Sequence, residues 1–285
     1  MVSMKENLLK VNHPLAPLTV EEVQTAIAIL KSEKALGEKV RFPTVTLREP
    51  AKEIVLNFVE GSEFPREVFF VILDNEEVKT YEAIVSLNTG TVISYEEIEG
   101  VKQSIMKEEL IECENIVKAN PDFLAALATR GIDNPDLVMV DPWSTGYFDI
   151  PENEGKRLAR AICWVKKFPE DNGYAYPLTG IVVYVDLNRM EVDRVEDYGP
   201  REMPTVDGNY YPEVSDSIEF REDLKPLEII QPEGPSFTVE GNLIKWQKWS
   251  FRYGFTPREG LVLYTVNYHD KGVDRPILYR GALSE

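Results

Sequence analysis

Apolar positions first recur at helical spacing and then switch to alternation. Val23, Ile27 and Leu30 fall on one face, and Thr19 with Glu22 forms a capping-box pattern, so the spacing predicts a helix over 20–36. Alternation follows over Arg41–Arg48, Lys52–Val59 and Glu67–Asp74, each read as a strand, with a turn at Asn75-Glu76-Glu77. Val78–Leu87 and Val92–Tyr95 make a hairpin about Asn88-Thr89-Gly90. A helix ahead of an antiparallel meander is an α+β unit.

The order then repeats. Glu108–Ala119 reads as a helix, and Pro121 opens another with Phe123, Leu124, Leu127 and Ala128 on one side and Gly131 at its end. Leu137–Val140, Leu158–Phe168 and Gly180–Asp186 read as strands. Ser86-Leu87-Asn88 with Val92 and Glu96-Glu97 lies over Asp186-Leu187-Asn188 with Val192 and Glu196-Asp197. The offset is one hundred residues, which suggests two copies of one small helix-on-sheet fold. Gly199–Lys225, rich in Pro, Gly and acidic residues, reads as a linker.

From Pro226 onward the pattern is all strand. Prolines 226, 232 and 235 punctuate the start, because a residue without an N–H cannot sit in a central ladder. Phe237 and Val239 alternate with polar neighbours before a turn at Glu240-Gly241-Asn242. Trp249, Phe251 and Tyr253 share one parity, and Trp246 is out of phase with them, which predicts a bulge or bend near Gln247-Lys248. Leu261–Tyr268 alternates again, giving a mostly antiparallel sheet with one apolar, aromatic face.

Charge narrows the partners. The chain has 31 basic and 49 acidic side chains among 285 residues, a net charge of −18, which repels nucleic acid and attracts cations. Two cysteines, Cys113 and Cys163, lack short metal-ligand spacing and read as buried thiols, with a disulfide between them left open. The first residues, MVSMKENLLKVNHP, lack a signal-peptide core, and no apolar run reaches membrane-spanning length, so a cytoplasmic chain without membrane contact is expected. Neither a phosphate-cradling glycine loop nor a nucleophile elbow occurs, since Pro235 precedes Ser236. The acidic pairs Glu96-Glu97 and Glu196-Asp197 end equivalent hairpins and read as solvated residues rather than acid/base dyads.

Particular words in the sequence say more. QPEGPSFTVEGN, WQKWSFRYGF, REGLVL and RPILYR resemble, in order and spacing, the opening strands of the catalytic domain of copper-containing amine oxidases. HPLAPLTVEE and RFPTVTLREP resemble the first, and VMVDPWSTGYF, KKFPEDNGYAYPLTG and VYVDLNRMEVDRVEDYG the second, of two cystatin-like domains that precede it in that family. The resemblance implies domains at 1–103, 104–215 and 216–285, the last being the start of a β-sandwich.

The same resemblance implies oxidation of primary amines to aldehydes with release of ammonia and hydrogen peroxide. Family members use a topaquinone made from the tyrosine of T-x-x-N-Y-[DE], an aspartate base, and copper held by H-x-H plus a third histidine. All of these lie beyond the RPILYR strand, and this sequence runs five residues past Arg280. Tyr268, in Thr265-Val266-Asn267-Tyr268-His269-Asp270, is the nearest imitation, with the threonine one residue too close and His269 where an acid belongs. Only His13 and His269 are present, read as an exposed lead-in residue and a turn residue. No catalytic, cofactor-binding or metal residue is therefore assigned, and copper and topaquinone are expected only in a full-length relative.

One role remains for the second repeat. FPEDNGYAYP matches a loop that in the family lines the funnel to the quinone, and Tyr174 takes the place of an aromatic channel residue. The leading expectation is the N-terminal portion of a copper/topaquinone primary amine oxidase, inactive alone and partnered by the catalytic remainder or a homodimer mate. The alternative is a non-catalytic cystatin-like binding or assembly module.

Overall fold

The computed structural model describes residues 11–146, 148–204, 209 and 221–283. Two compact units form, one joining the residues through Glu99 with those from Leu227 on, the other being Gly100–Pro226. In the expected linker, residues 205–208 and 210–220 lie outside the described residues, as does the expected boundary at 215/216.

The first unit begins with α1 (Val20–Lys34), capped by Thr19 and closed by Ala35 in the left-handed region at φ 50°. Strands β1 (Val40–Arg48), β2 (Glu67–Asp74), β3 (Lys79–Ser86) and β4 (Thr91–Glu97) follow as an antiparallel sheet in sequence order. Ala26 and Leu30 of α1 pack on Val68, Phe70, Ile72, Ala83 and Val85, all fully or nearly fully buried. Lys52–Val59 is not a strand. Residues Lys52–Leu56 form a short helix, α2, closed by local bonds such as Asn57 N–H to the Glu53 carbonyl at 3.1 Å. Ile54-Val55-Leu56 is a continuous apolar run that fits either helix or strand, and here only Val55 is buried.

The second unit repeats the design. Helices α3 (Lys107–Ala119) and α4 (Pro121–Ala128) precede β5 (Val138–Ser144), β6 (Leu158–Val165), β7 (Ile181–Asp186) and β8 (Glu191–Asp197), again a sheet in sequence order. Cys113, Val117, Phe123 and Leu127 face Val140, Ala159, Val183 and Val185. The buried face of α4 is Phe123, Ala126 and Leu127, whereas Leu124 and Ala128 point outward, because the helix sits rotated on the sheet from the expected face.

The hundred-residue offset holds in the hydrogen bonding. Val85 pairs Val92 and Ser86 pairs Thr91 in one hairpin, and Val185 pairs Val192 and Asp186 pairs Glu191 in the other. Each hairpin carries its register shift at the same place, before Val85 and before Val185. Gly90 and Met190 both take positive φ, 69° and 54°.

A deeper correspondence links each helix to its sheet. Arg66, just before β2, forks onto Glu22, the third residue of α1, through Nε–Oε1 at 2.6 Å and Nη2–Oε2 at 2.7 Å. It also donates to the Ala16 and Pro17 carbonyls. Arg157, just before β6, forks onto Glu109, the third residue of α3, at 2.6 and 2.7 Å, and donates to the Gln103 and Ser104 carbonyls. The Leu87 and Leu187 N–H groups donate to the carbonyls of Arg66 and Arg157.

The C-terminal strands complete the first unit: β9 (Phe237–Glu240), β10 (Leu243–Trp246), β11 (Trp249–Thr256), β12 (Gly260–Asp270) and β13 (Val273–Ala282), one antiparallel meander. Of the bulge or bend expected at Gln247-Lys248, the structure has the bend. Trp246 pairs Trp249, and the chain reverses through those two residues with Gln247 at φ 53°. The phase change marks a hairpin, because a two-residue turn starts a new strand whose alternation need not continue the old one. The irregularity lies instead in β12, which advances from Asn267 to Tyr264 while β11 advances only from Ser250 to Arg252, with Thr265 at φ 46°.

Candidate functional site

Tyr174 lies in a single 3-10 turn, Gly173–Ala175, between β6 and β7. Gly173 is seated so tightly that a Cβ there would stand 2.3 Å from Met139 Sδ. Val165 N–H donates to the Tyr176 carbonyl at 3.0 Å, and Leu178 N–H to the Cys163 carbonyl at 2.9 Å, which fastens the returning chain to β6. Asp171 is buried and accepts from the Lys167 and Asn172 N–H groups and from Asn209 Nδ2, each at 2.9 Å. Tyr174 itself is exposed, with its hydroxyl 3.0 Å from Asp141 Oδ2 and its ring edge-on to Trp164 at 5.1 Å. A loop fastened to β6 by backbone hydrogen bonds thus presents an aromatic side chain to solvent, with carboxylate and indole beside it.

In the first unit, Glu49 is a polar hub. It accepts from the Tyr264 hydroxyl at 2.7 Å and from Arg280 Nε at 3.0 Å, and Arg280 also holds Glu259 at 3.0 Å. Burial, with the Glu49 hydrogen bond next, pushes the Tyr264 phenol well above its ordinary range, and the bond to Glu49 raises the Arg280 guanidinium. Hydrogen bonds from Thr256 and Arg280 hold the Glu259 carboxyl below its usual value. A cleft of about 280 Å3 opens beside this network, lined by Thr44, Thr46 and Phe69 on one side and Thr256, Arg258 and Glu259 on the other. Leu15, Val55, Val262 and Tyr264 form an apolar cluster in the same unit.

Glu49→Ala removes the acceptor of a buried phenol and half the pairing of Arg280. It is expected to cost about 2–3 kcal/mol by urea unfolding and to open β12–β13 to limited proteolysis. Glu49→Gln, which keeps an acceptor, is expected to cost about half as much. An unchanged unfolding midpoint in the alanine variant would remove Glu49 as the hub.

The histidines are not brought into one site. His13 is buried rather than exposed: its Nδ1 accepts the Leu15 N–H at 3.0 Å and its ring meets Phe58 edge-on at 5.2 Å. The His13–Ala16 turn, closed by Ala16 N–H to the His13 carbonyl, folds the ring inward. Burial, then nearby Arg252, lowers its pKa to about 4. His269 is exposed near the end of β12 with Nδ1 2.7 Å from Asp274 Oδ1. Among the described residues, no three His, Cys, Asp or Glu side chains group as metal ligands. With one histidine committed to a backbone turn and the other to an aspartate, the residues of this chain do not fit a three-histidine copper centre.

Tyr268 is an ordinary strand residue, paired with Trp249 and stacked edge-on against it at 4.8 Å. Cys113 and Cys163 are free thiols in the second core, and burial pushes each up to about 12. No helix among the described residues is long and apolar enough to cross a membrane. The residues missed from sequence are Asp141, Glu49 and the two buried Arg–Glu pairs, all joined to partners at least 33 positions away.

Three domain models match in order: "Copper amine oxidase, N2 domain" over 13–98, "Copper amine oxidase, N3 domain" over 108–211 and "Copper amine oxidase, enzyme domain" over 238–285. The chain is 46% identical over 281 residues to a primary amine oxidase of Arthrobacter sp. (strain P1), covering 98% of this chain and 42% of that protein. It is 38% identical over 276 residues to a histamine oxidase of Arthrobacter globiformis, covering 96% and 40%. The chain therefore spans about two-fifths of the length of the curated relatives it matches. The crystal structure of a copper-containing benzylamine oxidase from Hansenula polymorpha shares its fold, with a TM-score of 0.80 at 24% identity over 94% of this chain and 44% of that one.

Proposed function

The chain belongs to the copper amine oxidases, carrying their N2 domain, N3 domain and the beginning of their enzyme domain, and from this we propose that it is the N-terminal part of a primary amine oxidase. The oxidase turns a primary amine, dioxygen and water into aldehyde, ammonia and hydrogen peroxide. The observation that carries this reading is the order of the three domains along almost the whole chain. We draw its domains at 1–103, 104–215 and 216–285, each containing one family match.

The oxidation step belongs to the part of the enzyme domain that the longer relatives carry. This chain's share is access: its net charge of −18 draws in alkylammonium ions, and Tyr174 lines their route. Phe255, Leu261 and Ile277 stand exposed on β11–β13, which suits cover by that remaining segment or by a second chain. Two cysteines kept as buried thiols suit a reducing compartment, and we place the protein in the cytoplasm.

The deciding experiment is amine-dependent peroxide release, with a redox-cycling quinone stain, on protein purified from its natural source. Both signals are expected only in samples that also contain the rest of the enzyme domain. Peroxide from this chain alone, or silence in the assembled protein, would overturn the proposal. In the active assembly, Tyr174→Ala is expected to shift the KM of bulky amines about tenfold relative to small ones. Unchanged kinetics across several amines would take Tyr174 out of the route.

A further inference from the structure

Tyr174 is 54% exposed, yet its ring is held at both ends. Its hydroxyl donates to Asp141 Oδ2 at 3.0 Å, and its ring meets Trp164 at 70°. Asp141 and Trp164 share one face of the sheet. Trp164 pairs with Met139, and Asp141 stands two residues along β5 from Met139, so all three point the same way. Met139 Sδ also packs against Gly173, which seats the turn backbone on that face. Tyr176 N–H closes onto the Gly173 carbonyl at 2.9 Å. Given that backbone path, the orientation of Tyr174 depends on its side-chain torsions, and the Asp141 bond is one of the contacts that select among them. An exposed tyrosine without such an anchor samples several rotamers.

We propose that Asp141 is a positioning residue for amine selection: by holding the Tyr174 ring against Trp164 it fixes the aperture that Tyr174 presents to an incoming primary amine. The inference rests on the access role given to Tyr174 above. It separates two effects of one carboxylate. A positioning role needs the acceptor at residue 141, whereas simple attraction of ammonium needs only the charge.

The test compares Asp141→Ala, Asp141→Asn and Tyr174→Phe in the assembled oxidase, using methylamine and benzylamine. Asp141→Ala and Tyr174→Phe are each expected to move the ratio of the two KM values about fivefold in the same direction, with kcat within about twofold. The double variant is expected to go no further than either single one, because both remove the same bond. Asp141→Asn, which keeps an acceptor without the charge, is expected to stay near wild type. A second measurement reads the anchor without any oxidase activity: near-ultraviolet circular dichroism of the full chain. Asp141→Ala and Tyr174→Phe are expected to diminish the same Trp164 band, and Asp141→Asn to preserve it. An unchanged band in Asp141→Ala overturns the anchor whether or not the protein oxidises amines. A changed band with an unmoved KM ratio, while Tyr174→Ala does move it, overturns the selection role and leaves the access reading standing. If Asp141→Asn behaves as Asp141→Ala, the charge rather than the acceptor matters and the positioning role is lost.

Discussion

Arg66→Ala is expected to destabilise the first unit by about 3–5 kcal/mol, as removal of one partner from a buried ion pair leaves the other charge uncompensated. Arg66 is 2% exposed and Glu22 8%, so water cannot take over the lost contacts. The guanidinium also serves the Ala16 and Pro17 carbonyls, which fix the lead-in to α1. For that reason replacing both charges with apolar residues does not restore the fold fully, although such double replacements are often harmless elsewhere. Arg157→Ala should do the same to the second unit, since Glu109 and the Gln103 and Ser104 carbonyls stand in the equivalent relation. Thermal or urea unfolding followed by probes in each unit provides the check. Arg66→Ala should lower the transition seen in the first unit, and Arg157→Ala that in the second. A loss below about 1 kcal/mol in either would mean that the pair is poorly desolvated and counts as a surface bridge.

That duplicated device also shows what a sequence read alone conveys. The hairpins at 86–91 and 186–191 announced themselves, because turn residues and alternation are local and survive at a fixed offset. The Arg–Glu pairs did not. Glu22 already explained itself as a helix cap with Thr19, and nothing local pointed to Arg66, forty-four positions on. Lys52–Val59 reads as strand for the opposite reason: three apolar residues in a row satisfy either period, and only the fold assigns Val55 alone to a core. The turn at Gln247-Lys248 is visible as a broken phase, which predicts a bulge or bend there without choosing between them. Around Tyr174 the loop could be located by its resemblance. Its anchor could not, since Asp141 lies 33 positions away on β5 and nothing in the word VMVDPWSTGYF marks it as the partner of Tyr174.

His13 turns the same lesson into a pH dependence. The residue before Pro14 reads as an exposed lead-in, yet its ring is buried against Phe58 and its Nδ1 is an acceptor for Leu15 N–H. Protonation would put a hydrogen on the acceptor nitrogen and break that bond. It would also place a second cation near Arg252, whose Nη1 donates to Asn242 while Asn242 Nδ2 donates to the Leu15 carbonyl. Its folded pKa, about 4, is thus below the 6.5 of an unperturbed histidine. The unfolded chain then binds more protons than the folded one between those values, so stability falls as pH drops from 6.5 toward 4 and is unaffected by His13 above that window. The loss at the lower limit is about 3 kcal/mol, from roughly 1.4 kcal/mol per pKa unit. Carboxylates titrate in part of the same range, so the informative quantity is the difference between wild type and His13→Asn. Asparagine can accept the Leu15 N–H through its side-chain oxygen but cannot be protonated there. Urea unfolding of both proteins from pH 7 to pH 4 should give curves that diverge in slope below about pH 6.5, with the variant the less acid-sensitive. Parallel curves would mean that the folded protein accepts the proton without cost, and that the His13 ring meets water as its position before a proline first suggested.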